Sequence, residues 1–287
     1  MKTTILFPSD YFDKKKPDFN YEDEFNIAKS FLEFEVALVD YDSFIEDDIL
    51  KVYPLDSIKG NCIYRGWMLK PSKYSIFYDK LREKGFKLIN SPEEYEKCHL
   101  FPNIYNDIKY YTPKSLWFYD VSKIDWNLIN KEFKAFMIKD FVKSVKGQDF
   151  PVKFETIVEN EKMDEYIGEF IKLRGNLFTG GIVFKDFVNL KKYYGITNEY
   201  RCFYLNGDVL SISKNSNQSR DFNVLPEHLL NKFINLKSNF YTIDFAELKN
   251  GDWIIIETGD GQVSDLSPDQ FVFGFYDEVR RILKCQE

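Results

Sequence analysis

Two Asn-Gly pairs near the C-terminus constrain the fold most, because each lies between apolar runs and predicts a β-hairpin with a two-residue turn. The second pair, Asn250-Gly251, sets a register in which Asp244 faces Glu257 across the strands. Two opposed carboxylates repel each other, and the side chains around them are largely apolar, so water screens them poorly. This predicts a cation between them, and magnesium held by carboxylates and substrate phosphates suits the arrangement. The alternative is a frayed hairpin end in water.

The first Asn-Gly pair, Asn206-Gly207, predicts a hairpin that carries positive charge. Its two-residue turn pairs Arg201 with Ile212 and Glu199 with Lys214, which places Glu199, Arg201 and Lys214 on one face. Cations beside a carboxylate pair are what a site for a metal and a phosphate requires. The alternative is an ordinary cross-strand ion pair between Glu199 and Lys214 on a solvated face, which stabilises little.

Composition excludes several classes of protein. The chain has 287 residues, of which 44% are hydrophobic, so it can bury a substantial core in two or three lobes. The net charge of −7 argues against nonspecific nucleic-acid binding through the whole surface. The four cysteines lack paired spacing and the two histidines are far apart, which favours neither a disulfide framework nor a zinc site. Because the sequence also shows neither a signal peptide nor a bilayer-spanning stretch, we expect a cytoplasmic protein without a membrane partner.

The first part of the chain, residues 1–113, alternates strand and helix patterns, which predicts an α/β lobe with parallel connections. Strands are predicted at 3–7, 35–40, 61–66 and 86–90, with helices at 74–81 and from Ser91 onward. From about residue 114 the pattern becomes β-rich and gives the second half an α+β character. Strands are predicted there at 135–142, 154–158, 181–188 and in the two hairpins, and helices around 162–173, 226–236 and 268–284.

Several residues outside the hairpins are candidates for ligand contacts. Arg65 follows a predicted strand, and open α/β sheets bind ligands at the carboxyl ends of their strands, so Arg65 can bind an anion beside a stacking surface on Trp67. Lys139 and Lys143 share one face of a predicted strand, and Lys146-Gly147 follows in a loop suited to phosphate. The alternatives are a surface ion pair for Arg65 and solvated lysines at the other positions.

Five motifs taken in order resemble an ATP-grasp ligase: IKDFVKS, GGIVFKDFV, EYRCFYLNG, TIDFAEL and WIIIETGDGQV. The resemblance is greatest to the RimK-related R-two-K clade, in which ExGDGQ replaces the more usual ExN. IYRGWMLKP and SPEEYEKC also resemble the N-terminal region of that clade. The resemblance implies a pre-ATP-grasp α/β lobe at 1–113, an ATP-grasp small lobe at 114–185, and a C-terminal lobe with the metal site at 186–287.

The resemblance also implies roles for individual residues. Lys139 would meet the nucleotide phosphates, with Lys143 as a second candidate, and Arg201 and Lys214 would face the phosphate and the acyl-phosphate centre. The implied adenine-binding hinge runs through Phe184, Lys185, Asp186, Phe187 and Val188, with Asp186 holding the ribose.

Asp244 and Glu257 match the magnesium ligands of the family. Gly259 stands where the family's third ligand, an asparagine, is expected, so Asp260 or Gln262 is predicted to substitute.

The implied reaction needs ATP and magnesium. A substrate carboxylate attacks the γ-phosphate, and an amine then displaces phosphate from the acyl phosphate, so the substrates are a small-molecule or peptide carboxylate and an amine. Arg174 could clamp the carboxylate, its alternative being a surface ion pair. Two other functions stay open at this point. The chain could modify a protein or the end of a nucleic acid, although its acidic net charge disfavours a nucleic acid substrate. Alternatively, it could bind nucleotide without ligase activity.

Overall fold

The computed structural model describes residues 2–57, 59–145, 150–155, 159–215, 217–219 and 221–285. The predicted loop at Lys146-Gly147 lies outside the described residues, as does the second part of the strand predicted at 154–158.

The N-terminal lobe is built on a five-stranded sheet with the strand order β3-β2-β1-β4-β5. Its strands are β1 (Thr3–Pro8), β2 (Phe34–Val39), β3 (Val52–Tyr53), β4 (Gly60–Tyr64) and β5 (Phe86–Leu88). Apart from the short antiparallel β3, the strands pair in parallel, as the alternation of strand and helix patterns predicts.

Helices cover this sheet and continue beyond it. They are α1 (Glu22–Lys29), α2 (Tyr41–Asp47), α3 (Pro71–Glu83), α4 (Pro92–His99) and α5 (Phe101–Ile108). The predicted capping box at the start of α4 is present, because Ser91 accepts from the Glu94 N–H and the Glu94 side chain accepts from the Ser91 N–H. Local sequence therefore fixes where this helix begins.

The next part of the chain forms a four-stranded antiparallel sheet with the order β6-β9-β7-β8. Its elements are β6 (Ser115–Phe118), α6 (Trp126–Glu132), β7 (Ala135–Asp140), β8 (Phe154–Glu155), α7 (Asn160–Arg174) and β9 (Ile182–Asp186). The strand predicted at 135–142 ends early, because the Asp140 carboxylate accepts hydrogen bonds from the backbone N–H groups of Val142 and Lys143 and turns the chain.

The C-terminal part holds a second four-stranded antiparallel sheet, ordered β13-β12-β14-β15, and a two-stranded ribbon. Its elements are β10 (Lys192–Tyr193), β11 (Ile196–Thr197), β12 (Glu199–Leu205), β13 (Asp208–Lys214), α8 (Glu227–Lys232), β14 (Phe240–Glu247), β15 (Trp253–Asp260) and α9 (Val272–Lys284). One face of this sheet packs against α5, so a helix from the residues assigned to the N-terminal lobe shares a core with the C-terminal lobe.

The hairpin of β14 and β15 confirms the key pair but not the rest of its register. Its loop has three residues, because the Leu248 N–H donates to the Asp252 carbonyl and Gly251 takes a positive φ. The predicted two-residue turn is therefore one residue too short, and the strand pairs next to it are shifted by one residue. A β-bulge at Ile256 restores the register, so Asp244 does face Glu257.

The hairpin of β12 and β13 has the predicted two-residue turn, but its register shifts at Leu210. Arg201 consequently pairs with Ser213 and not with Ile212, and Lys214 pairs with Tyr200 and not with Glu199. The predicted common face of Glu199, Arg201 and Lys214 is wrong because one bulge residue moves Lys214 to the opposite face.

A continuous apolar core joins the N-terminal lobe to the C-terminal lobe. Ile5 and Phe7 of β1 belong to the same buried cluster as Phe203 of β12 and Tyr276 of α9. Within the part of the chain that the structure describes, no helix has both the length and the apolar character needed to cross a membrane.

Candidate functional site

A cavity of about 740 Å³ lies between the two four-stranded sheets. The small-lobe sheet contributes Met137, Lys139 and Lys185, while the C-terminal lobe contributes Glu199 and Glu257. Odd-numbered residues of β7 face this cavity, since Phe136 and Ile138 are buried in the small-lobe core on the other side. The alternation of the strand therefore delivers Lys139 to the cavity, as predicted.

Two buried lysines share one aromatic surface in this cavity. The ammonium groups of Lys139 and Lys185 lie 5.4 and 4.9 Å from the centre of the Phe101 ring. Both lysines are at most 6% exposed. Because two ammonium groups this close repel each other, an anion between them is favourable. Phe101 begins α5, and sequence reasoning did not single it out.

Lys185 also contacts the bulge of β15. Its Nζ donates a hydrogen bond to the Ile256 carbonyl at 2.9 Å. The pKa of Lys185 is lowered to about 7, mainly by burial and also by the neighbouring Lys139, while Glu257 opposes the shift. The sequence placed Lys185 only in the hinge, whereas the structure makes it a second cavity lysine.

The opposed carboxylates Asp244 and Glu257 each face a cation of the protein. Arg201 binds Asp244 through two hydrogen bonds of 2.9 and 2.7 Å, and the Lys143 Nζ lies 2.8 Å from Glu257. The Arg201 side chain is mostly buried, but Lys143 is about half exposed, so the second pair can open at small cost. Lys143 is thus near the carboxylates and lies beyond the end of β7.

The donor set of this carboxylate pair fits magnesium. Hard divalent cations prefer oxygen ligands, and magnesium binds few carboxylates together with phosphates and water. Among the described residues, no group of three or more His, Cys, Asp or Glu side chains could hold a metal. Two carboxylates are therefore what the described part of the chain offers.

Asp260, predicted as a third ligand, lies away from this pair. Its carboxylate is buried and accepts a hydrogen bond of 2.5 Å from Asn90 of the N-terminal lobe, and burial raises its pKa to about 7. Gln262 is buried beside it and donates to the Tyr74 hydroxyl. The structure therefore does not support Asp260 or Gln262 as metal ligands, since both hold the two lobes together.

Gly259 cannot carry a longer side chain without local rearrangement. A Cβ atom there would lie 2.9 Å from the Ser264 Oγ and 3.1 Å from the Thr242 Oγ1. These two hydroxyls occupy the space on the Glu257 side of the strand. This crowding gives a physical reason why the family's usual asparagine is absent here.

The predicted hinge lines the cavity at the end of β9. The Asp186 and Phe187 N–H groups donate to the Lys114 and Ala135 carbonyls. Among the described residues, the Val188 N–H makes no such hydrogen bond, and Val188 lines the cavity. The Phe184 side chain points the other way, into the small-lobe core. The hinge therefore offers a cavity-lining backbone donor at Val188 and a carboxylate at Asp186, whose pKa is raised by burial.

Arg174 positions the turn after β7. Its Nε donates to the Asp140 carboxylate at 2.8 Å, and Asp140 also accepts from the backbone of Val142, Lys143 and Thr179. The predicted substrate clamp is thus already engaged with a buried carboxylate.

Lys214 is not beside Arg201. Its Nζ donates to the Ser219 carbonyl at 2.8 Å, which holds the loop after β13. Lys214 does not line the nucleotide-sized cavity, so its predicted catalytic role has no geometric support.

The prediction that Arg65 binds a substrate is wrong, because Arg65 is only 1% exposed. Its guanidinium makes two hydrogen bonds of 3.0 Å with Glu24, and it also donates to the Ser264 carbonyl at 2.8 Å. The end of β4 is covered by the loop that follows β15, a contact between distant parts of the chain. Trp67 is half-buried, and its indole N–H donates to Asp18.

Glu199, which the predicted hairpin register placed with Arg201 and Lys214, lines the cavity independently of Lys214. Two further residues belong to the site region although their sequence patterns did not indicate it. His99 is buried near Lys143 and Lys139, and burial lowers its pKa to about 3. Glu247 is fully buried and accepts hydrogen bonds from Lys191, Tyr193, Asn198 and Asn223. A lone His or Glu in a sequence carries no periodic pattern, so only the fold reveals these positions.

Comparison with known proteins decides the family. The family described as "ATP-grasp domain, R2K clade family 3" matches residues 123–279, more than half of the chain. The chain belongs to this ATP-grasp family. Membership makes it an enzyme of the ligase class that binds ATP, and magnesium use is typical of ATP-grasp proteins, so these expectations are confirmed at the level of the family.

Solved ATP-grasp ligases share the whole fold. The ligase PsnB complexed with a minimal precursor has a TM-score of 0.60 at 10% identity and covers 98% of both chains. D-alanine–D-alanine ligase from Bacillus anthracis complexed with ATP has a TM-score of 0.59 at 14% identity and covers 100% of both. The macrocyclase MdnC from Microcystis aeruginosa, bound with a precursor peptide, has a TM-score of 0.56 at 12% identity and covers 99% of this chain and 100% of its own. A search of curated proteins finds no significant match.

Proposed function

We propose that this ATP-grasp enzyme joins a carboxylate to an amine through an acyl phosphate and releases ADP and phosphate. One observation carries the proposal: Lys139 and Lys185 lie in the same cavity as Glu257, which faces Asp244 across the sheet. Phosphoryl transfer depends on positioning and on neutralising charge, and this arrangement supplies both kinds of group.

The residues that line the cavity support a position for each part of ATP. The hinge at Val188 suits the adenine, because an unpaired backbone N–H can donate to a ring nitrogen. Asp186 and Glu199 line the same cavity and can accept hydrogen bonds from the ribose hydroxyls. Lys139 and Lys185 lie further along the cavity wall, where they neutralise phosphate oxygens.

Asp244 and Glu257 would hold magnesium, which when bound neutralises charge on the phosphates. Arg201 keeps the Asp244 carboxylate in place through two hydrogen bonds and retains a positive charge near the reacting phosphate. The substrate carboxylate oxygen bonds to the γ-phosphorus while the bond from phosphorus to ADP breaks. The amine nitrogen then bonds to the acyl carbon, phosphate leaves with the former carboxylate oxygen, and the amine loses a proton.

The substrates of structural neighbours indicate a class for this chain. PsnB and MdnC are seen with precursor peptides, and the other neighbour is a ligase of D-alanine. We therefore propose that peptide or amino-acid carboxylates and amines are the substrates.

Hydroxylamine provides a direct test, because it intercepts an acyl phosphate as a stable hydroxamate. The protein is incubated with magnesium-ATP, hydroxylamine and pooled carboxylates, and ADP and hydroxamate are quantified. We expect equal amounts of both, with strong loss in Lys139→Ala and a smaller loss in Lys143→Ala, whose side chain is half exposed. Lys172→Ala, on the exposed side of α7, is the matched control. Hydroxamate formation that is unchanged in Lys139→Ala would refute the assignment of this cavity.

A further inference from the structure

A second functional surface lies on the N-terminal lobe, away from the nucleotide cavity. A cavity of about 590 Å³ runs beside β2, and we call it the β2 groove after its lining residues Lys15, Phe25, Lys29, Val36 and Tyr53. None of the described residues lines both this groove and the nucleotide cavity. The two cavities are therefore separate.

The edge of β2 is open along this groove. β3 pairs with Leu38 and Val39, the last two residues of β2, and among the described residues no strand pairs with the preceding part of β2 on that side. The N–H groups of Thr3 and Ser9 donate to the carbonyls of Glu33 and Val39, which shows that odd-numbered residues of β2 point to β1. The N–H and C=O of Val36 consequently point to the open side. An unpaired strand edge is a template for another strand.

The charge of the groove is opposite to that of the whole protein. Lys2, Lys15 and Lys29 line it together with one acid, Glu35, whereas the chain as a whole carries −7. Among the described residues, neither Lys15 nor Lys29 forms an ion pair; Lys2 lies 3.9 Å from Glu35. The groove thus attracts negative charge.

A neighbouring cavity extends this basic surface. It has a volume of about 620 Å³ and shares Lys2, Leu32 and Phe34 with the β2 groove. It adds three cations, Lys87, Arg280 and Lys284. It also adds one acid, Glu33, which Arg280 and Lys284 already contact. Leu32 is 85% exposed at the junction, so the surface offers an apolar contact between its positive parts.

We propose that the β2 groove binds an extended acidic segment of a partner polypeptide as an added strand on the open edge of β2. Main-chain hydrogen bonds to Val36 supply the affinity of such a complex, and side-chain contacts give the specificity. Acidic side chains of the segment meet Lys15 and Lys29, while Phe25 and Tyr53 offer apolar contacts beside them. The surface is separate from the nucleotide cavity, so binding does not depend on the ligase reaction.

The first test uses a fluorescent peptide of about eight residues, the length of an edge strand, with alternating glutamate and valine. A peptide with lysine in place of glutamate is its control, and fluorescence anisotropy measures both. We expect binding of the acidic peptide alone, weakened by salt and at least about tenfold weaker in Lys15→Glu/Lys29→Glu. The control double variant, Lys162→Glu/Lys172→Glu on the exposed side of α7, keeps the wild-type affinity. Absence of binding, or equal binding of both peptides, would overturn the proposal.

The second test distinguishes strand addition from charge attraction. Two N-methylated peptides are compared, one methylated at the odd-numbered positions and one at the even-numbered positions. Each methylation pattern removes the main-chain N–H donors on one edge of the peptide only. We expect one set to abolish binding and the other to preserve it, while magnesium-ATP affinity stays the same throughout. Equal effects of both sets would refute an added strand. A dimer of the protein alone that Lys15→Glu/Lys29→Glu dissociates would assign the edge to self-association and also overturn the proposal.

Discussion

Raising the pH is expected to weaken the binding of magnesium-ATP through one side chain, Lys185. Burial holds its pKa at about 7, against an ordinary value of 10.5. Phosphate oxygens stabilise the charged ammonium, so the pKa of Lys185 rises when ATP binds. The free protein carries the charge only below about pH 7, and the complex carries it up to the bound pKa. ATP binding therefore takes up a proton in the interval between these values, and affinity falls as pH rises through it.

The loss of ATP affinity depends on how far the pH lies above the pKa of Lys185 in the protein without ATP. At about pH 9, roughly two units above it, about one molecule in a hundred has Lys185 charged before ATP binds, which weakens binding about a hundredfold, or about 2.7 kcal/mol. The terminal phosphate of ATP titrates near pH 6. It is therefore almost fully ionised at about pH 8 and contributes little to proton uptake at that pH.

Isothermal titration calorimetry at about pH 8, in two buffers of different ionisation enthalpy, measures the proton uptake directly. We expect close to one proton per ATP, because about a tenth of the free protein has Lys185 charged at that pH. Lys185→Met should bind more weakly, with little pH dependence. Lys143→Met is the matched control, since Lys143 is half exposed. Constant affinity up to about pH 9 without proton uptake would show that Lys185 is already charged in the free protein and refute the reasoning.

Three further predictions address the metal pair and the buried charges. Glu257→Gln should abolish magnesium-dependent ATP stabilisation in thermal-shift measurements while costing under about 1 kcal/mol of stability, because its partner lysine is exposed; a wild-type shift would argue against a metal ligand. Arg65→Ala should lose about 3–5 kcal/mol in urea unfolding, with partial recovery on adding Glu24→Gln, since the Glu24 carboxylate is otherwise buried unpaired; unchanged stability would contradict this. Glu247→Gln should raise KM for ATP with little change in kcat, because Glu247 holds the segment after the hinge; the opposite pattern would remove that role.

Local patterns in the sequence predict most elements of the fold. Alternating strand and helix patterns in the sequence predict the strands β1, β2, β4 and β5. Helix-capping chemistry predicts the capping box at Ser91. Turn length is harder to predict, because Asn-Gly suits both a two-residue turn and the three-residue loop at Lys249–Gly251. The predicted pairing of Asp244 with Glu257 across the strands is confirmed because the longer loop and the bulge at Ile256 cancel each other.

The failed predictions depend on contacts between distant parts of the chain. Arg65 does follow a strand end, but the loop carrying Gly261 and Ser264 covers that end and accepts its hydrogen bonds. Lys214 lies one bulge away from the predicted face, and nothing in its neighbouring residue types marks the bulge at Leu210. Packing between lobes and the placement of bulges are properties of the whole fold, so a single sequence shows neither.

The bulge at Ile256 links the two halves of the proposed site. It keeps Glu257 opposite Asp244 and also leaves the Ile256 carbonyl as the acceptor of the Lys185 hydrogen bond. The lysines that we propose bind phosphate therefore come from the small lobe and the carboxylates from the C-terminal lobe, and the bulge contacts one lysine of the first group. A nucleotide with magnesium bound as proposed would contact both groups at once and so hold the two sheets together. The same geometry explains why the pKa of Lys185 lies near 7 in the free cavity. One backbone carbonyl and the Phe101 ring replace the water that would otherwise solvate the ammonium group.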